Sequence, residues 1–181
     1  VIPALWRLME ENEDVALAMP KVLFLNGSVQ CLAKLLPTPV DLFCRFFMPA
    51  KLIVRRNNKF ELRHSGYDRE MNVPFLSGCF MFLRVSALKS EGIFDERFFM
   101  YMEDVDLTRR LHAKHKTLFY PSVSIYHRFS RLSYHKWKLS LAHMASVVKY
   151  FNKWGWIYDS SRRRFNKTLL KELKQQTKDE D

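Results

Sequence analysis

Phe94-Asp-Glu-Arg-Phe-Phe-Met-Tyr-Met-Glu-Asp-Val-Asp-Leu-Thr-Arg-Arg-Leu111 is the densest stretch of the chain, and its second half reads as a helix over residues 103–113. Acids crowd the first turn while Arg109 and Arg110 come later, an order that suits the helix dipole. Glu103 and Asp104 stand side by side at this start, behind a run of aromatics. A carboxylate in such a place can be held partly out of water and poised as a base. Acids also favour helix starts for their own sake, and Asp106 with Arg110 makes an ordinary i,i+4 pair. The residues alone leave both readings open.

Outward from this block, short strands alternate with helices. Downstream, residues 118–120 and 123–126 read as two strands around Pro121, followed by His127. Upstream, residues 75–84 read as one buried strand with a glycine inside it, and residues 86–91 as a short helix closed by Gly92. Near the start, residues 2–11 form a helix with Leu5, Leu8 and Met9 on one side, and residues 15–18 a short strand ending at Pro20. Asn26-Gly27 between two apolar runs is a hairpin signal. Pro37 and Pro39 break the chain, and the polar residues 55–71 read as a surface excursion. Residues 134–154 read as a long amphipathic helix ended by Gly155. Its stripe of Trp137, Leu141, Met144, Val148 and Phe151 is expected to face the core, with His135, Lys138, Ser146, Lys149 and Lys153 opposite. A basic segment (Arg162, Arg163, Arg164, Lys167) and a frayed charged tail follow. The order indicates an α/β fold.

A chain of 181 residues that is 48% hydrophobic can bury a core, as one domain or as part of a larger one. Val1 in place of Met suggests a processed start or a cut from a longer chain. Cys31, Cys44 and Cys79 lack CxxC spacing, which excludes a disulfide framework or a zinc site and leaves buried thiols in a reducing compartment. No signal peptide is visible, and the longest uncharged run, residues 71–83, falls short of the roughly 20 residues that span a bilayer. The expected location is therefore cytoplasmic. Residues 1–126 carry 17 Lys and Arg against 14 Asp and Glu (+3), whereas residues 127–181 carry 13 against 5 (+8). A basic end suits anionic lipid, phosphorylated ligands or nucleic acid, but no nucleic-acid module accompanies the charge. His127, after a strand, can be a metal ligand, a base or a surface residue. Arg128 and Arg131 beside it can hold a diphosphate or can equally be solvated charge.

Three segments together carry a family likeness. Phe75-Leu-Ser-Gly-Cys-Phe-Met-Phe-Leu-Arg84, Gly92-Ile-Phe-Asp-Glu-Arg-Phe-Phe-Met-Tyr-Met-Glu-Asp-Val-Asp-Leu107 and Tyr120-Pro-Ser-Val-Ser-Ile-Tyr-His127 resemble the C-terminal part of family 2 glycosyltransferases. The likeness is greatest to rhamnosyltransferase-like members that build bacterial surface polysaccharides such as lipopolysaccharide of the cell envelope. Ala18-Met-Pro-Lys-Val22, Asn26-Gly27, Gln30 and Leu36-Pro-Thr38 fit the segment that joins the two halves of such enzymes, so the likeness spans about residues 1–155.

The resemblance implies a GT-A, Rossmann-like domain with a mixed sheet flanked by helices. Residues 1–132 would be its acceptor-side half, and residues 133–181 C-terminal basic amphipathic helices and a tail. Glu103-Asp104 matches the family's Glu-Asp motif, whose second acid is the usual general base for the acceptor hydroxyl. His127 matches a histidine that in relatives helps bind a divalent metal, Mn2+ or Mg2+. The Ser77-Gly78 turn would line the donor–acceptor cleft, with Arg128 and Arg131 near the diphosphate. The implied reaction is an inverting displacement on a dTDP- or UDP-sugar, with a glycan or lipid-linked acceptor and no nucleic acid. The enzyme would sit in the cytoplasm, peripherally attached to the anionic inner membrane.

One departure matters. The family's Asp-x-Asp metal motif and nucleotide-binding strands should lie just before Val1. Asp104 and Asp106 have the spacing of that motif but project to different sides of a helix. The expectation is a truncated chain, inactive alone, with an exposed apolar sheet edge at residues 15–18 where other strands would pair. The alternative is a non-catalytic basic module that binds anionic membrane or nucleic acid, and the acidic–aromatic block over residues 98–106 weighs against it.

Overall fold

The computed structural model describes residues 1–43, 49–128 and 137–178. Helix α1 (Ile2–Glu11) forms where the pattern places it, with Pro3 in its first turn and Leu5, Leu8 and Met9 buried. Strands β1 (Val15–Leu23) and β6 (Lys116–Tyr126) run parallel at the centre of a four-stranded sheet. Two short antiparallel edges flank them: β5 (Phe82–Leu83) beside β1 and β3 (Met71–Asn72) beside β6. The sheet is therefore mixed, and helices cover both of its faces. On one face α1 packs Leu5, Leu8 and Met9 against Val15, Ala18 and Leu118. On the other, Leu107 and Leu111 of α5 (Glu103–His112) and Leu169 and Leu173 of α7 (Ser160–Lys178) pack against Leu17, Met19 and Phe119. This is the α/β architecture the sequence indicates, with C-terminal helices following the sheet.

The expected exposed edge at residues 15–18 does not exist. Leu17 pairs with Leu83 and Ala18 with Phe82 on one side, β6 lies on the other, and Val15 to Ala18 are fully buried. A strand covered on both faces reads as a continuous apolar run, which is why Val15 to Met19 show no alternation.

Two further strand expectations change. β1 does not end at Pro20, and the segments around Pro121 form one strand, β6. Both prolines fall at the same irregularity, where pairing steps from Pro20–Tyr120 to Lys21–Ser124 and leaves residues 121–123 outside the ladder. A proline is tolerated there because no ladder N–H is required of it. The apolar run over residues 75–84 is not one strand either. β4 (Phe75–Leu76) pairs with β2 (Ala33–Lys34) in a separate two-stranded ladder, β5 joins the main sheet, and the chain turns between them. The Asn26-Gly27 signal yields a tight turn, with Phe24 and Ser28 hydrogen-bonded and a single bridge between Leu23 and Val29.

Residues 55–71 hold most of helix α3 (Ala50–Phe60) and a 3-10 turn at Arg63–Ser65 rather than an irregular excursion. The inward positions of α3 are Ile53, Arg56, Asn57 and Phe60, at helical spacing but half of them polar, so the hydrophobic pattern concealed the helix. Pro39, read as a breaker, opens the short helix α2 (Pro39–Phe43). Helix α4 (Val85–Glu91) closes at Gly92, whose positive φ of 82° favours a glycine there. Cys31 and Cys79 are half-buried free thiols, both pushed up by burial, and Cys44 lies outside the described residues.

Helix α6 (Trp137–Trp154) forms, but the stripe expected to face the core mostly faces water. Trp137, Leu141, Met144 and Val148 are exposed, and of that stripe only Phe151 is buried. The inward face is Ser146, Val147, Tyr150 and Phe151, which meet Leu36, Phe98, Met102 and Val105. Polar bonds set this rotation: Ser146 Oγ donates to the Met100 carbonyl (2.8 Å), Lys149 Nζ to that of Arg97 (2.9 Å), and Lys153 Nζ to Asp95 (2.8 Å). The basic segment after residue 158 forms α7, which Asn166 fixes by bonding both the N–H and the carbonyl of Leu36. No described helix is long and apolar enough to cross a membrane.

Candidate functional site

Helix α5 starts abruptly. Tyr101 and Met102, just before it, both hold left-handed backbone angles (φ 64° and 68°), which side-chain-bearing residues rarely adopt. Their surroundings impose that shape. Met102 is buried, the Tyr101 ring lies 4.4 Å from that of His143, and the bonds from Ser146, Lys149 and Lys153 tie the preceding loop to α6. The outcome is a fixed entry that presents Glu103 and Asp104 on the first helical turn.

Asp104 Oδ2 accepts the Gly78 N–H at 2.8 Å, and Oδ1 accepts the Val105 N–H at 2.8 Å. A Cβ at Gly78 would come within 3.2 Å of the Asp104 Cβ, so the absence of a side chain there permits the close approach. Burial pushes the Asp104 carboxyl up, against the opposing pull of the two N–H bonds and the Lys34 charge. Glu103 is also pushed up, by burial first and then by its Asp104 neighbour. Its Oε2 is buried without a hydrogen-bond partner among the described residues. Two adjacent carboxylates with raised proton affinity can accept a proton from a bound hydroxyl. Each oxygen of Asp104 keeps a second acceptor direction for that purpose. Ser77, at the end of β4, lies beside Gly78 and bonds the Cys79 thiol.

Further along α5 every charge is matched. Asp106, fully buried, accepts from Arg110 Nε (2.9 Å), Lys153 Nζ (2.7 Å) and Trp154 Nε1 (2.7 Å). Arg109 makes a two-pronged bond to Asp159 at 2.6 and 2.8 Å and stacks on Trp154, its carbon 4.0 Å from the ring centre. Asp159 also caps α7 through the Arg162 N–H (2.9 Å). The expected Asp106–Arg110 pair is present, but as part of a buried polar seam that joins α5 to α6 and α7.

His127 follows β6, where that strand and the parallel β1 both end. Its N–H donates to the Leu23 carbonyl (2.9 Å), and its Nδ1 lies 3.1 Å from Gln30 Oε1. Arg128 is exposed, and Arg131 lies outside the described residues. No hydrogen bond or ion pair between His127 and Asp104 appears among the described residues. They nevertheless belong to the same end of the sheet. Only residues 113–115 separate α5 from β6, so the helix start lies toward the carboxyl ends of β1 and β6. That is where sites on parallel α/β sheets gather.

Among the described residues no three His, Cys, Asp or Glu side chains gather into a metal site. His127 fits a divalent ion as a single ligand, with one ring nitrogen tied by Gln30 and the other, Nε2, making no hydrogen bond among the described residues. The remaining ligands of such an ion would have to come from a bound phosphate or from other protein groups. Two residues that matter here were not singled out as site residues from sequence: Gln30, buried to 4% exposure, and Lys34, whose charge reaches Asp104. Gln30 carried one signal, a polar residue in an apolar stretch directly after the Asn-Gly turn.

Comparison with known proteins adds one finding. Two curated relatives are 48% identical to this chain over 59 residues: the N-acetylglucosaminyl-diphospho-decaprenol L-rhamnosyltransferases of Mycobacterium tuberculosis strains CDC 1551 / Oshkosh and ATCC 25618 / H37Rv. Over that stretch the chain is related to a glycosyltransferase. The match covers 32% of this chain and 19% of each relative, so the chain accounts for a minor part of the proteins it resembles. No family model matches the chain. No solved structure matches it either.

Proposed function

We propose that the chain is the acceptor-side part of a family 2 glycosyltransferase of the GT-A fold, working with a part that binds the nucleotide sugar. The observation that carries this reading is the Glu103–Asp104 pair, which makes no ion pair among the described residues and has raised proton affinity, with Asp104 held against the Gly78 N–H. The similarity to the two rhamnosyltransferases supports it.

In this reading Asp104 takes the proton of the acceptor hydroxyl. The freed oxygen attacks the anomeric carbon, and the bond from that carbon to the diphosphate oxygen breaks from the opposite side, so the centre inverts. The electron pair leaves on the nucleoside diphosphate. Glu103 adds negative potential that keeps Asp104 a willing proton acceptor. Ser77 and Gly78 form the wall of the donor–acceptor cleft facing the base. Arg128, with Arg131, meets the departing phosphates. A divalent ion, Mn2+ or Mg2+, would neutralise diphosphate charge when bound, with His127 as one of its ligands.

A dTDP- or UDP-sugar is the donor, with rhamnose suggested by the relatives' name, and a glycan or lipid-linked sugar is the acceptor. Such an acceptor places the enzyme at the anionic inner face of the membrane, where the +8 charge of residues 127–181 and the exposed α6 stripe favour adhesion. A purely basic module is the weaker reading, because Lys149, Lys153 and Arg162 bond internally. The full-length protein, incubated with dTDP- and UDP-sugars, Mn2+ and a polyprenyl-diphosphate-linked sugar, should yield a lengthened glycolipid. The 181-residue chain alone should show no clear heat of binding for the same donors. Failure of the full-length protein to transfer any of these sugars would overturn the reading.

A further inference from the structure

The carboxyl ends of β1 and β6 are joined by one buried side chain. The Gln30 backbone N–H donates to the Val22 carbonyl (2.8 Å). Its side-chain Nε2 donates to two more carbonyls, those of Leu23 (3.1 Å) and His127 (2.6 Å). Carbonyl oxygens only accept, so both contacts require the NH2 end of the amide, and the orientation of Gln30 is fixed by chemistry. Its oxygen must then face the remaining neighbour, His127 Nδ1, at 3.1 Å. An amide oxygen also only accepts. The hydrogen in that bond therefore belongs to Nδ1.

We infer that Gln30 is a positioning residue that holds neutral His127 in the Nδ1–H form, leaving Nε2 as the ring's lone-pair atom. Neutral imidazole side chains in water prefer the opposite form, with the hydrogen on Nε2, so the buried amide works against the ring's own preference. A lone pair on Nε2 suits a divalent cation, and a hydrogen there would block it. That consequence rests on the glycosyltransferase reading above, whereas the hydrogen position does not. The same side chain ties both strand ends together, so the ring is held in orientation as well as in protonation.

The test is the long-range proton–nitrogen spectrum of the chain labelled with 15N-histidine, recorded where the rings are neutral, with the His127 signals assigned by their loss in His127→Asn. The expected pattern is a protonated Nδ1 and an unprotonated Nε2 for this ring. In Gln30→Leu the pattern should move toward protonated Nε2. Gln30→Met keeps the length of the side chain without its amide and should move the pattern in the same way, which separates the hydrogen bond from mere packing. A protonated Nε2 in the wild type overturns the inference without any variant having to fold. An unchanged pattern in Gln30→Leu overturns the role of Gln30. In the full-length enzyme, Mn2+ affinity read by the spin resonance of the free ion should fall about 10- to 100-fold in Gln30→Leu. Unchanged Mn2+ affinity in His127→Asn would sink the metal reading of His127 while leaving the nitrogen result standing.

Discussion

Asp104 and Asp106 stand two residues apart on α5, and the structure treats them in opposite ways. Asp106 is fully buried and receives Arg110, Lys153 and Trp154. Asp104 receives two backbone N–H groups, feels Lys34 at a distance, and has its proton affinity raised by burial. Glu103 beside it keeps a buried oxygen without a hydrogen-bond partner among the described residues. Helical spacing puts the two aspartates on different sides, and Lys153 of α6 reaches Asp106. A carboxylate locked among three donors holds helices together. One that is held by backbone donors, with its proton affinity raised by burial, can take a proton from a bound hydroxyl. On the proposed function, the first turn of α5 serves chemistry, whereas the rest attaches the helix to α6 and to the start of α7.

The largest effect should come from the first turn. On the proposed function, Asp104→Asn in the full-length protein should lower turnover on the order of 10²–10⁴-fold, the share of a positioned base, with donor binding nearly intact. Asp106→Asn should cost far less turnover, and its loss should appear in stability. If Asp104→Asn turns over at near the wild-type rate while Glu103→Gln is dead, the base is Glu103.

The attachment side should break in stability rather than in chemistry. Asp159→Ala leaves Arg109 buried and uncompensated, which should lower the urea-unfolding free energy by about 3–5 kcal/mol. The Arg109→Met, Asp159→Leu double variant should recover much of that loss, since removing both charges leaves neither unpaired. A double variant no more stable than Asp159→Ala would mean that the pair contributes by shape and not by charge.

The two ends of α5 should also answer pH in opposite senses. Burial pushes His112, in the last turn, down to about 4, with its Nδ1 2.7 Å from the Thr117 hydroxyl. The unfolded chain takes up that proton near pH 6.5, so the contribution of His112 is complete above that value and is lost as pH falls toward 4. The loss should amount to about 3 kcal/mol. Glu103 and Asp104 are raised, so their contribution is present below the ordinary carboxylate range and lost as pH rises. Unfolding followed from pH 7 to pH 4 should therefore show a steeper loss in the wild type than in His112→Gln. Parallel curves would remove His112 from the account.

Several elements were legible because residues within the element decide each of them. Gly92 ends α4, the acids open α5, and Leu5, Leu8 and Met9 mark α1. What escaped depended on partners distant in sequence. Residues 15–18 read as a bare edge because nothing in them announces Phe82 and Leu83, and α3 was hidden because Arg56 and Asn57 take inward places. The Glu103–Asp104 pair was visible as a motif, yet its difference from Asp106 required Lys153 and Trp154, some 50 residues away. Helix α6 misled in the most instructive way. Its apolar stripe was assigned to the core, but Ser146, Lys149 and Lys153 seat the helix through polar bonds and turn most of that stripe outward.

That rotation gives the smallest and most direct test, because two neighbouring valines lie on opposite sides of it. Val147 is 2% exposed and packs with Tyr150, Phe151 and Val105, whereas Val148 is 38% exposed. Val147→Ala should cost about 1–3 kcal/mol, the transfer of two methyl groups plus the void they leave. Val148→Ala should fall within about 0.5 kcal/mol of wild type, as surface changes do. Had the apolar stripe faced the core, the ranking would be reversed, so urea curves of the two variants decide between the helix as described and the helix its hydrophobic pattern suggests. The same face offers a second readout. Leu141→Gln should leave stability nearly unchanged while weakening adhesion to anionic vesicles, because an exposed leucine has nowhere to add binding except at a partner or a lipid surface. Adhesion that depends on salt but ignores Leu141→Gln would assign the contact to charge alone and leave the outward stripe without a lipid role.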